Sequence, residues 1–375
     1  MTLKNIDNRD TSADIIRIIA VFLVICVHFF LMSGFYGQNI DGFEMYPLVT
    51  MRTLSEICVP LFMILTGYLM CGKKPNRDYY FKIGKTLFVY IGASIMCALF
   101  MANFFDKTVT LNKFVSGVLE FTMAPYAWYV EMYIMFFLMI PFINLMYNGL
   151  ESRKKKIILV GTFIVVAILP SLFNSFSFYE TTQLWFKPEN YDNLSKIFPN
   201  FWVTVYPFAY YFIGCYLREY RLKIKTIVLV ILLVISIFLF GLLNLYRNFG
   251  SIWKTYPYAD WGGFTTCIIA VLLFETVKRM KTNELPTFIR RILMLMSQCS
   301  LGIYLTSYIG DVIAYDLLNK KYTSIYDKFS CFLPTVLYVY VISLLLSIVI
   351  EISFFLITKF VLGELKGVAD TIRKP

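Results

Sequence analysis

Charge is scarce in this sequence and histidine is nearly missing. Asp, Glu, Lys and Arg together make up 16% of 375 residues, and His28 is the single histidine. One imidazole cannot build a metal cage by itself, and no HExxH, GxSxG or P-loop pattern occurs, so we expect no metal site and no serine triad. The 8 cysteines never form a CxxC pair and fall mostly inside or beside apolar segments. They read as reduced packing residues, not as a disulfide or metal framework. There is no Pro/Ser linker, no low-complexity tract and no loop long enough to fold alone. Residues 1–375 are therefore expected to form a single transmembrane domain without a separate extracellular one.

Apolar side chains are plentiful instead. The chain is 58% hydrophobic and 18% aromatic, with a mean hydropathy of +0.66, more than one soluble core can hide. A helix needs about 20 mainly apolar residues to cross a bilayer. Segments of that kind lie near residues 15–35, 46–70, 86–105, 128–147, 157–176, 201–217, 224–246, 261–277, 292–317 and 329–362. The expected fold is all-α, a polytopic integral membrane helical bundle of about ten transmembrane helices. The first segment follows a polar, mixed-charge stretch and precedes no small-residue cleavage site, so it is expected to remain as a helix.

The net charge of +11 is distributed by loop. Lys73, Lys74, Arg77, Lys82 and Lys85 form one basic set, followed by residues 153–156, 218–225 and 278–291. Lys4, Arg9 and Arg17 at one end, and Lys359, Lys366, Arg373 and Lys374 at the other, belong with them. The intervening loops hold Asp41, Glu44, Asp106, Glu120, the stretch from Glu180 to Asp192, Asp260, Asp316 and Asp327. The positive-inside rule then places both termini in the cytoplasm, N-in and C-in. It accounts for the basic excess without a nucleic-acid partner.

Ionisable residues within the spans are few, and charge in hydrocarbon costs at least about 2.5 kcal/mol. Arg17 and His28 lie about 20° apart around the first helix, at 100° per residue, and about 16 Å apart along it. Asp14 stands at i,i+3 from Arg17 and can neutralise it. A neutral imidazole at mid-depth can take a proton from a hydroxyl and return it to a leaving group. Equally, His28 can pack between helices against a carbonyl, and Asp14 with Arg17 can be a boundary ion pair. Arg52 and Glu56, four apart, either shape a polar pocket or satisfy each other. Glu131 and Asp311 near the outer ends of their spans read as snorkelling or solvated, while Glu351 lies toward the inner half of the last span. Trp128, Trp185, Tyr191, Trp202, Trp253 and Trp261 can stack on sugar faces or form an interfacial belt. Pro60, Pro141, Pro170, Pro207 and Pro334 in or beside spans can open kinks around a cavity. Glycines in the echoing Gly67-Tyr68-Leu69, Gly214-Cys215-Tyr216-Leu217 and Gly302-Ile303-Tyr304-Leu305 runs point to close helix packing.

Taken together, these residues resemble the acyltransferase-3 family of membrane acyltransferases, whose first helix carries an arginine and, after ten residues, a histidine. Arg17 and His28 match that spacing. The run from Val59 through Pro60 to Thr66-Gly67-Tyr68-Leu69 is similar to the family's second helix, with Thr66 for the commoner serine. Trp128-Tyr129, Phe212-Ile213-Gly214 and Ser300-Leu301-Gly302-Ile303-Tyr304-Leu305 continue the likeness over nearly the whole chain. Two departures stand out. Thr306-Ser307 falls where the family often has a histidine, and Lys82 and Lys85 stand in for an Arg-x-Arg motif.

The resemblance implies an O-acyltransferase of a cell membrane, bacterial in type. It would take acyl-CoA, acetyl-CoA first among the donors, from the cytoplasm and acylate a hydroxyl of a cell-surface carbohydrate. Asp14, Arg17 and His28 are then the catalytic candidates, and Arg17, Lys82 and Lys85 the donor-phosphate candidates. Arg52, Glu56, Trp128, Glu131 and Tyr304 are the pocket candidates. No permanently bound cofactor is expected, and a separate extracellular transferase or glycan-assembly partner is compatible. The competing readings are a transporter of a glycan or small polar solute without acyl chemistry, and a non-catalytic assembly subunit.

Overall fold

The computed structural model describes residues 9–105, 108–175, 197–255 and 260–372, with side chains as far as residue 360. Lys4, Asp106, Glu180, Trp185, Tyr191, Asp192, Arg373 and Lys374 lie outside the described residues, as does the side chain of Lys366. The described chain is helical, and its only β-like pairings are isolated bridges from Asn39 to Ile252 and from Ile40 to Phe249, which tie two loops together. The helices are α1 (Thr11–Met32), α2 (Tyr46–Ser55), α3 (Cys58–Met70), α4 (Arg77–Phe81), α5 (Ile83–Phe104), α6 (Leu111–Leu119), α7 (Trp128–Asn148) and α8 (Arg153–Ala167). They continue as α9 (Leu169–Phe173), α10 (Tyr206–Glu219), α11 (Thr226–Asn248), α12 (Phe264–Lys278), α13 (Thr287–Lys321), α14 (Ile325–Ser330) and α15 (Phe332–Ile372).

Among the described residues, 7 helical stretches have the length and composition to cross a membrane: Thr11–Met32, Phe43–Met70, Arg77–Phe104, Trp128–Asn148, Thr226–Asn248, Thr287–Lys321 and Phe332–Phe360. The other three expected spans run on shorter pieces. These are α8 with α9, α10 with the 3-10 turn Asn200–Val205 before it, and α12. The span expected at 46–70 is divided at Glu56 and Ile57, where Pro60 has no N–H to give the carbonyl one turn back. Pro141, by contrast, sits inside an unbroken α7.

Lipid explains the sidedness of burial. α11 and α15 present rows of exposed Leu, Ile, Val and Phe, whereas α1 is enclosed by α13, α3, α2, α15 and α12. The α3–α10 crossing is set by two glycines. A Cβ on Gly67 would lie 2.0 Å from the Tyr211 carbonyl oxygen, and one on Gly214 would lie 2.0 Å from that of Ile64. Backbone therefore meets backbone there, as the glycine-containing runs suggested. The cysteines are free, and all but Cys331 are buried.

α1 is fixed at its start. Asp10 caps it, accepting from the Ala13 N–H at 3.2 Å, and also accepts from Lys278 at the end of α12. Lys278 Nζ also donates to Ser12 Oγ at 2.8 Å. Burial alone would raise the Asp10 carboxyl, but the hydrogen bonds from Lys278 and Ser12 and the Lys278 charge outweigh it and hold Asp10 below the usual carboxylate range.

Candidate active site

A cavity of about 540 Å³ lies among α1, α3, α5, α7 and α13, and both Arg17 and His28 line it. The shared face read from helical spacing is thus a shared wall. Most of the rest of the lining is apolar or aromatic, with Val24, Val59, Phe62 and Leu301 among its members. Arg17 Nη1 donates to Ser297 Oγ on α13 at 2.9 Å. Thr66, the residue that departs from the family's serine, lines the cavity as well.

His28 is 7% exposed and is held from one side. Its Nδ1 lies 3.0 Å from Asp311 Oδ2 and 3.4 Å from Ser307 Oγ, both on α13. The Tyr126 ring packs on the imidazole with centroids 4.0 Å apart, and the Tyr126 hydroxyl donates to the same Asp311 Oδ2 at 3.0 Å. Tyr304 in turn donates its hydroxyl to the Tyr126 carbonyl, fixing the loop that carries that ring. With Nδ1–H given to the carboxyl, Nε2 is left as the acceptor nitrogen. A histidine held this way can exchange protons at Nε2 without swinging.

Asp311 corrects the sequence reading. Placed near a span end, it was expected to snorkel or stay solvated, yet it is fully buried against α1. A signal for it existed. Tyr304, Ser307 and Asp311 follow at i, i+3 and i+7, which puts them on one stripe of α13. Ser307, noted only for not being histidine, stands next to the imidazole.

Other candidates are placed differently. Asp14 accepts from Arg9 on both carboxyl oxygens, at 2.7 Å each, and stands 3.9 Å from Arg17, so its principal partner is Arg9. Arg52 and Glu56 form a buried ion pair outside the cavity lining. Arg52 also donates to the Tyr36 hydroxyl at 2.6 Å and lies against the rings of Tyr36 and Trp253, which favours the self-satisfied reading. Lys82 is exposed, and Lys85 pairs with Glu351 at 3.0 Å; neither lines the cavity. Glu131 is exposed on α7 and is likewise absent from the lining. Trp128 and Tyr304 do line it, and Trp128 stacks on Trp261 at 4.5 Å and 15°.

Comparison with curated proteins finds no match, and comparison with solved structures finds none either. A family model for an acyltransferase domain matches residues 10–355. That match takes in every helix lining the cavity, from Arg17 on α1 to Tyr304 on α13, and on it the chain belongs to the acyltransferase-3 family of membrane acyltransferases.

Proposed function

We propose that this acyltransferase moves an acyl group, acetyl first among the candidates, from acyl-CoA in the cytoplasm to a hydroxyl of a cell-surface carbohydrate outside. The setting is a bacterial plasma membrane, crossed about ten times, with both termini inside. The observation that carries the reading is that Arg17 and His28 line one cavity, with His28 Nδ1 committed to the buried Asp311. Arg17 is suited to a phosphate of the donor, because its planar guanidinium matches phosphate oxygens. Exposed Lys82 can add to this as a point charge, whereas Lys85 would first have to leave Glu351.

The chemistry balances within the cavity. His28 Nε2 takes the proton as the acceptor oxygen attacks the thioester carbonyl. A C–O bond forms and the C–S bond breaks. The imidazolium, next to Asp311, then returns the proton to the departing thiolate, so the site ends as it began. Transfer is direct, or is completed by a separate extracellular partner.

The test is reconstitution in vesicles with labelled acetyl-CoA and candidate glycans, comparing wild type with His28→Ala. A general base contributes about 100- to 10,000-fold, so label transfer should fall by that order. Unaltered transfer in the variant would reject His28 as the base. Glycan movement without acyl-CoA would favour the transporter.

A further inference from the structure

Asp311 is served unequally. Oδ2 receives both His28 Nδ1 and the Tyr126 hydroxyl, while Oδ1, equally buried, has no hydrogen-bond partner among the described residues. One turn further along α13, Tyr315 is 1% exposed, and its hydroxyl also lacks a partner there. The two residues are four apart, so they share a face of the helix. The Tyr315 ring packs edge-on to Phe29 at 5.8 Å. A buried carboxyl oxygen and a buried phenol left unpaired are costly, and buried water bridges just such groups.

We propose that a single buried water sits between Asp311 Oδ1 and the Tyr315 hydroxyl, and that Tyr315 acts through it as a positioning residue for His28. The phenol donates to the water, and the water donates to Oδ1. Both carboxyl oxygens are then engaged, and the carboxyl plane cannot turn away from Nδ1. The proposal rests on the acyl-transfer reading only for its kinetic consequence.

Because His28 is the single histidine, 15N-histidine labelling reports this one imidazole without assignment. In purified full-length protein in lipid nanodiscs, at one pH chosen so that the imidazole is neutral, the wild type should show the tautomer protonated at Nδ1. Tyr315→Phe should show a mixture of tautomers at an unchanged thermal midpoint, with kcat lowered by about tenfold, as for the loss of one hydrogen bond, and an unchanged acyl-CoA KM. A spectrum and kcat equal to wild type would overturn the proposal. Should Tyr315→Phe fail to fold, the wild-type protein still decides. A density map fine enough to show ordered water must have a peak within hydrogen-bond distance of both atoms, and a bare gap overturns it. The spectrum and the map need no acyl transfer, so an inactive protein with the mixed spectrum sinks the enzymatic reading alone. An active one with unchanged tautomers sinks the bridge alone.

Discussion

At the scale of single residues, the site depends on one carboxyl oxygen that serves two donors, the imidazole of His28 and the phenol of Tyr126, each at 3.0 Å. Replacing Asp311 by Asn preserves its size but offers the imidazole either an oxygen or an NH2 group, so the nitrogen facing the cavity is no longer fixed. Asp311→Asn should lower kcat by about 100-fold while leaving the acyl-CoA KM near wild type; an effect confined to KM would show that Asp311 helps bind the donor instead. Arg17 should behave in the opposite way. Arg17→Ala is expected to raise the acyl-CoA KM about 10- to 100-fold, as for a lost charged hydrogen bond, with Arg17→Lys in between because the charge survives and the fork does not. Titrations of initial rate against acyl-CoA distinguish the two. Arg17 and His28 could be picked out from sequence because their relation is set within one helix. Asp311 could not be paired with His28, because that contact exists only once α1 and α13 are packed.

At the scale of the helices, the α3–α10 crossing brings backbone against backbone and also shapes the cavity, since α3 supplies Val59, Phe62 and Thr66 to the wall. An added methyl at Gly67 or Gly214 meets a backbone carbonyl, which cannot turn aside as a side chain can. Gly214→Ala should therefore cost about 1–3 kcal/mol, read as a lowered thermal midpoint in detergent or nanodiscs; an unchanged midpoint would mean that the helices are free to separate. Long apolar runs such as 226–248 were legible because lipid imposes length and composition on any span. The divided α2–α3 and the short α8, α9 and α10 pieces were not, because irregular backbone within a bundle is satisfied by neighbouring helices that no local pattern reveals. Lys82 and Lys85 show a related limit. The family resemblance alone made them phosphate candidates, and the contact of Lys85 with Glu351 on α15 is one that no local pattern reveals.

At the scale of the whole molecule, the start of α1 is latched to the end of α12 through Asp10 and Lys278, so the helix carrying both Arg17 and His28 is held from outside the cavity. Asp10→Ala should lower stability by about 1 kcal/mol, the usual worth of an N-cap. Because the folded Asp10 carboxyl lies below its usual range, the contribution is present above the unfolded value, near pH 4, and is lost as pH falls through the folded one. Thermal midpoints of Asp10→Ala and wild type should thus differ at neutral pH and converge in acid. A gap that persists in acid would assign the loss to packing. The rigidity of α1 also makes it a ruler. Its two candidate residues, Arg17 and His28, are set apart along the helix axis by helical rise, about 16 Å, so on the acyl-transfer reading the enzyme gauges the reach of its donor. A thioester cut back to a short thiol stub can touch the imidazole or the guanidinium, but never span both.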